Sequence, residues 1–213
     1  MRSSAFARSV AVMAIFVLVA LAGAPVHGAS VLPRTVVDLI GLSEFILSGT
    51  VVEVHDGLDQ QLPYTEITLE VDEALKGSVS RIYTFRQFGL LEPRAMADGR
   101  TNLMVAPDGW PRFTVGEHVV VFLYKAALHT GLRTTVGLMQ GKFTVRDGQI
   151  ANAVANRGLF ANVRVEKSLL SSAESKLLQA KRGPLAADAF LSFVRRAVRN
   201  GWVERGEVRN DAR

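Results

Sequence analysis

Three histidines follow residue 30 of this 213-residue chain, His55, His118 and His129, and none stands in an H-x-x-x-H or H-E-x-x-H pair that would seat a metal on one helix face. His55 lies at a strand-to-turn boundary with Asp56 and Asp59, His118 follows Glu117 at the start of an apolar strand, and His129 sits in a turn. Their convergence as a facial metal site, or of His55, His118 and Glu117 as a dispersed hydrolase site, is weighed against the ordinary reading of solvated turn histidines. Nucleophilic catalysis needs a hydroxyl or thiol beside a base, usually on a strained turn. The chain has no cysteine and no Gly-x-Ser-x-Gly, and Ser48 lies inside a strand pattern. Glu66, Glu70 and Asp72 are spaced as paired carboxylates on a strand would be, and read more simply as a wet face. Gly137 to Lys142 lacks the spacing and the Ser/Thr of a phosphate loop. These residues call for no catalytic group, metal or cofactor.

The elements around them are mainly β. Ile67, Leu69 and Val71 alternate with Glu66, Thr68, Glu70 and Asp72, the period of a half-buried strand, and Gly77 can take the positive φ of the turn that follows. Further strands are expected over 46–54, 81–88, 132–138, 142–146 and 149–154, with Asp147-Gly148 as a hairpin turn. Val119-Val120-Val121-Phe122-Leu123-Tyr124 reads as a strand buried on both faces. A short helix is expected over 35–44 after Pro33, and residues 168–180 read as a linker or a second packed helix. Near the C-terminus Leu185, Ala189, Phe190, Phe193, Val194 and Ala197 form a helical stripe opposite Arg195, Arg196 and Arg199. Docking of that stripe on the β domain is the expected outcome, and the three arginines are the candidate electrostatic surface. The pattern suggests an OB-like Greek-key barrel of five or six strands, with a short N-terminal helix and a C-terminal amphipathic helix; a β-sandwich is the alternative.

Arg2 and Arg8, the uncharged apolar run 10–24, and Pro25 to Ser30 form a secretory signal peptide, with cleavage expected after Gly28 or Ala29. The chain is therefore expected to be exported, to a periplasm or the exterior, with domains at 1–28 (signal), 29–163 (β-barrel) and 164–213 (a basic helical extension). Without cysteines there is neither a lipidation site nor a disulfide, so the domain must be held by its core. Residues 30–163 carry 12 Lys/Arg against 14 Asp/Glu, and residues 164–213 carry 11 against 6, so the positive charge sits in the tail. Such a tail allows contact with an anionic membrane surface, while export and the acidic-leaning body argue against nucleic acid.

Residues 89–111 separate two strands by more than the roughly 12–15 residues of ordinary structureless loops. Leu90, Leu91, Met96, Leu103, Met104 and Trp110 stand there among turn residues and are candidate partner-binding residues, with tucking beneath the loop the competing expectation for most of them. A helical turn over 96–105 is a further expectation.

The segment Phe45-Ile46-Leu47-Ser48-Gly49-Thr50-Val51-Val52-Glu53-Val54, the strand ending Glu73-Ala74-Leu75-Lys76-Gly77, and Phe113-Thr114-Val115-Gly116-Glu117 leading into 119–124 together resemble the strand order of netrin-like domains. These include the inhibitory domain of tissue inhibitors of metalloproteases. The chain is still more similar to exported bacterial proteins of unassigned function, in which Gly141-Lys142-Phe143 also has a counterpart. The resemblance covers about residues 33–155 and implies an OB-like barrel that binds a protein partner in the envelope or exterior, with a metalloprotease as one class of partner. Animal netrin-like inhibitors chelate zinc through an N-terminal cysteine; here Ala29 or Ser30 would begin the mature chain, so only a free α-amine is offered, and both residues join the candidate contact set.

Overall fold

In a computed structural model, residues 32–96 and 98–211 are described. The expected signal peptide, Ala29 and Ser30 lie outside them. From Pro33 onward the residues form one compact unit. The chain first makes a short helix, α1 (Val36–Leu42). Thr35 caps it: its hydroxyl accepts from the Asp38 N–H at 3.2 Å, and the Asp38 carboxylate accepts from the Thr35 N–H at 3.1 Å.

Then come β1 (Phe45–Asp59), β2 (Leu62–Lys76) and β3 (Ile82–Phe88), a meander. Two ladder residues each, β4 (Arg94–Ala95) and β5 (Thr101–Asn102), interrupt the long loop. β6 (His118–Leu123), β7 (Lys142–Arg146) and β8 (Gln149–Asn152) follow. The C-terminal part adds β9 (Val163–Val165), α2 (Ser172–Leu177), β10 (Leu185–Ala186), α3 (Ala187–Arg199) and β11 (Val208–Asn210). The main sheet is antiparallel with seven strands in the order β10-β8-β7-β6-β1-β2-β3, beside two-stranded ladders β11-β9 and β4-β5.

The sheet is not closed, which corrects the expectation of a five- or six-stranded closed barrel. Between β3 and the β6–β7 connection the backbone bond from Arg133 N–H to Arg86 O, 2.8 Å, spans the gap, but no strand ladder forms there. The expected strand over 132–138 is the reason. Gly131 and Gly137 take φ of 67° each, Thr135 donates its hydroxyl to Leu138 O at 2.6 Å, and a 3₁₀ turn, Leu138–Gln140, replaces the strand after a single bridge between Thr135 and Leu123.

Both faces of the sheet are covered. Successive residues of β6 point to opposite faces. Val120 and Phe122 join one core with α1, α3 and Phe143, Phe190 and Phe193, while Val119, Val121 and Leu123 join a second core with Leu47, Val51, Ile67, Leu69, Phe85 and Phe113. This is why β6 is an unbroken apolar run. β1 changes register at three points and bends along its 15 residues. Gly49 marks the closest approach: a Cβ there would stand 2.3 Å from Glu70 O.

Residues 164–213 are built into this core. Leu185, expected on the terminal helix, instead pairs with Ile150 as β10, and α3 begins at Ala187. Phe190, Phe193, Val194 and Ala197 are fully buried, and burial of the two phenylalanines contributes about 2 kcal/mol each. Behind them Trp202 packs on Phe193 with ring centroids 6.2 Å apart. α2 is tied to α3 through Glu174, which is buried and accepts from Ser192 Oγ (3.1 Å) and Arg196 Nη1 (2.5 Å).

Candidate binding surface

The chain from Gly89 to Glu117 leaves β3 and is fastened at both ends. Leu90 donates to Met104 O and accepts from Ala106 N–H, each at 2.9 Å, so the two limbs of the loop run side by side. Thr65 Oγ1 donates to Gly89 O at 2.7 Å, and Gln87 Nε2 to Pro111 O at 3.0 Å. Asp56 of β1 takes the Leu91 N–H at 2.8 Å and an ion pair from Arg94. The tip is a miniature ladder, β4 on β5, closed by Met96 N–H to Arg100 O at 2.8 Å; this hairpin stands where a helical turn was expected over 96–105.

This wiring separates the six apolar loop residues. Leu90 is fully buried, and Met96 and Trp110 are half-buried, Trp110 against Phe88 at 6.2 Å between centroids. Leu91, Leu103 and Met104 remain outside, at 44%, 71% and 46% exposure. The parallel bridge between Leu90 and Val105 sets Leu91 opposite Ala106, two residues from Met104 and three from Leu103 along the facing limb. The result is three exposed apolar side chains on a loop whose backbone is tied to the sheet.

Below Trp110 opens a cleft of about 360 Å³. Trp110, Pro111, Met139, Ala151 and Ala153 give it apolar walls, and Arg112, Lys142 and Thr144 also line it. Met139 is brought there by its N–H bond to Gly109 O, 3.1 Å. Lys142 donates to both oxygens of Glu117 at 2.6 Å and lies 5.1 Å from the centre of the Phe113 ring, while Thr144 Oγ1 donates to Glu117 Oε1 at 2.5 Å. The ammonium is thus compensated in place. Arg112 is exposed and has no carboxylate partner among the described residues.

The histidines do not share a site. His118 stands opposite Thr50 and His55 opposite Glu66, so five residues of β1, about 16 Å, separate them. Ser48 Oγ and Asp72 Oδ2 lie 3.4 and 3.8 Å from His118, but both approach Nε2. A triad needs the hydroxyl on one ring nitrogen and the carboxylate on the other, so this trio is not arranged as one. His55 lies between Glu53 (3.4 Å) and Glu66 (3.0 Å), and Glu66 is bound to Arg86. His129 is exposed in its turn. Glu117 accepts from Lys142 and Thr144, two side chains that line the cleft. No cluster of three or more metal-ligating His, Cys, Asp or Glu side chains is found among the described residues.

No family model, curated protein or solved structure matches this chain.

The basic face of α3 is largely engaged inside the molecule. Arg195 makes a bidentate pair with Glu73 at 2.6 and 2.7 Å, and its guanidinium holds the Glu73 carboxyl below the usual carboxylate range. Arg196 pairs with Glu174, donates to Leu169 O at 2.6 Å and covers the Trp202 ring at 5.0 Å. Arg199 is exposed. Met139 and the β7–β8 wall were not legible as neighbours of Trp110, because those segments are some 30 to 40 residues away along the chain and no local pattern announces their meeting; Arg112, two residues on, carries no motif that singles it out.

Proposed function

We propose that this is an exported, non-catalytic module that holds a protein partner against its long loop, with Leu91, Leu103 and Met104 as the contact patch. The observation that carries this reading is the exposure of those three side chains on a loop whose backbone is pinned to β1, β2 and β3. Apolar side chains on a backbone already held in place lose little conformational entropy on association, which supports this reading. We read the domain as OB-like and related to netrin-like modules. In support, β3-β2-β1-β6-β7 follows the order of a five-stranded Greek-key barrel left open beside its third strand, with α1 and α3 packed on one face. A protease in the envelope or exterior is the partner class that this kinship raises. Recruitment to a membrane by an amphipathic helix is the weaker reading, since the apolar stripe of α3 is buried.

The test is to replace Leu103 and Met104 with aspartate and compare capture of partners by crosslinking. Loss of a specific partner with an unchanged circular dichroism spectrum supports the assignment; unchanged capture refutes it.

A further inference from the structure

The cleft beneath Trp110 is separate from the loop patch and has a chemistry of its own. Its apolar walls, Trp110 and Met139 foremost, suit a hydrocarbon or aromatic side chain. Its charges do not cancel: Glu117 neutralises Lys142 at 2.6 Å, which leaves Arg112 as an uncompensated guanidinium. Nine of the sixteen described arginines are matched by a carboxylate, among them Arg81, Arg86, Arg94, Arg133, Arg195 and Arg196. Arg112 has none among the described residues although it lines a concave site, and a planar guanidinium pairs bidentately with a carboxylate. A volume of about 360 Å³ is at the small end of ligand pockets, enough for a residue or two and not for a chain running through. One positive charge, apolar walls and a short reach together describe one kind of occupant.

We propose that the cleft receives the C-terminal residue of a peptide, its terminal carboxylate paired with Arg112 and its apolar side chain laid against Trp110 and Met139.

The protein can be titrated with N-acetyl-Ala-Ala-Leu as the free acid while the two indole N–H signals are followed by heteronuclear NMR, since the chain has two tryptophans. The expected result is a saturable shift of the Trp110 signal with the buried Trp202 unmoved, binding at least tenfold weaker for the C-terminal amide, and a similar loss in Arg112→Gln. Arg112→Lys should fall between, keeping the charge but losing the second hydrogen bond. Equal binding of acid and amide overturns the proposal, as does equal binding of an amidated peptide carrying an internal aspartate. An unaffected Arg112→Gln variant, or no saturable shift at millimolar peptide, also overturns it. Leu103→Asp leaves this titration unchanged, so its outcome is independent of the loop patch.

Discussion

Asp56 on β1 holds Arg94 of the long loop in an ion pair and accepts the Leu91 N–H at 2.8 Å, joining the first strand to a segment 35 residues later. Through this carboxylate the backbone of the exposed Leu91 is held to β1.

Asp56→Ala should therefore loosen the loop more than it destabilises the fold. Arg94 is partly exposed, so the expected global cost is about 1 kcal/mol. Amide hydrogen exchange over 90–105 should rise by a much larger factor than exchange in β6. Uniform acceleration along the whole chain would show that the pair serves global stability instead.

The pair between Arg195 and Glu73 makes a pH-dependent contribution of known sign. The Glu73 pKa lies below its ordinary value of 4.5, chiefly through the Arg195 hydrogen bonds. Stabilisation is thus complete above that value and is lost as pH falls through the folded-state pKa. Both side chains are about a third exposed, so solvent screening limits the effect to about 1 kcal/mol or less. Arg195→Ala should lower the melting temperature at pH 7, and its gap from the parent should narrow as the pH falls and Glu73 protonates. A gap that stays undiminished throughout the acid limb would locate the loss in packing.

Arg196→Leu should be among the most destabilising surface-adjacent changes. It strands the Glu174 carboxylate, 1% exposed, with only neutral donors, and breaking a buried pair costs about 3–5 kcal/mol. Denaturant unfolding measures this directly, and a cost under about 1 kcal/mol would mean that the pair is dispensable.

Gly49→Ala presses a methyl group to 2.3 Å from Glu70 O, where β1 and β2 backbones must separate to admit it. The expected penalty is about 1–3 kcal/mol. An unchanged unfolding midpoint would show that β1 can slide at its bulge without cost.

Where structure is set by neighbours in sequence, it was legible. Asp147-Gly148 takes φ of 51° and 71° as the expected two-residue turn, and the apolar run of β6 is buried on both faces as its composition requires. Gln60 and Gln61 adopt the same left-handed pair, φ 47° and 72°, at the tip of β1–β2, and glutamine gives no warning of it. The strands consequently run some five residues further on β1 than expected. The loop's apolar residues were legible as candidates, but not which of them tuck. Leu90 and Leu91 are adjacent and alike, yet backbone bonds to Met104 and Ala106 bury the first and leave the second outside. The cleft was least legible, since residues 110–112, 139 and 142–153 meet only once the sheet has formed.

The most direct measurement places a photocrosslinking side chain at Leu103 and, in a second variant, at Leu128, which is 89% exposed on a different loop. Both are irradiated in an extract of the envelope and exterior of the source cell, and the adducts are identified by mass spectrometry. A loop that binds a partner gives a discrete protein adduct from position 103 that is missing from position 128. The same adducts from both positions, or none from 103, would contradict a partner-binding role for the long loop.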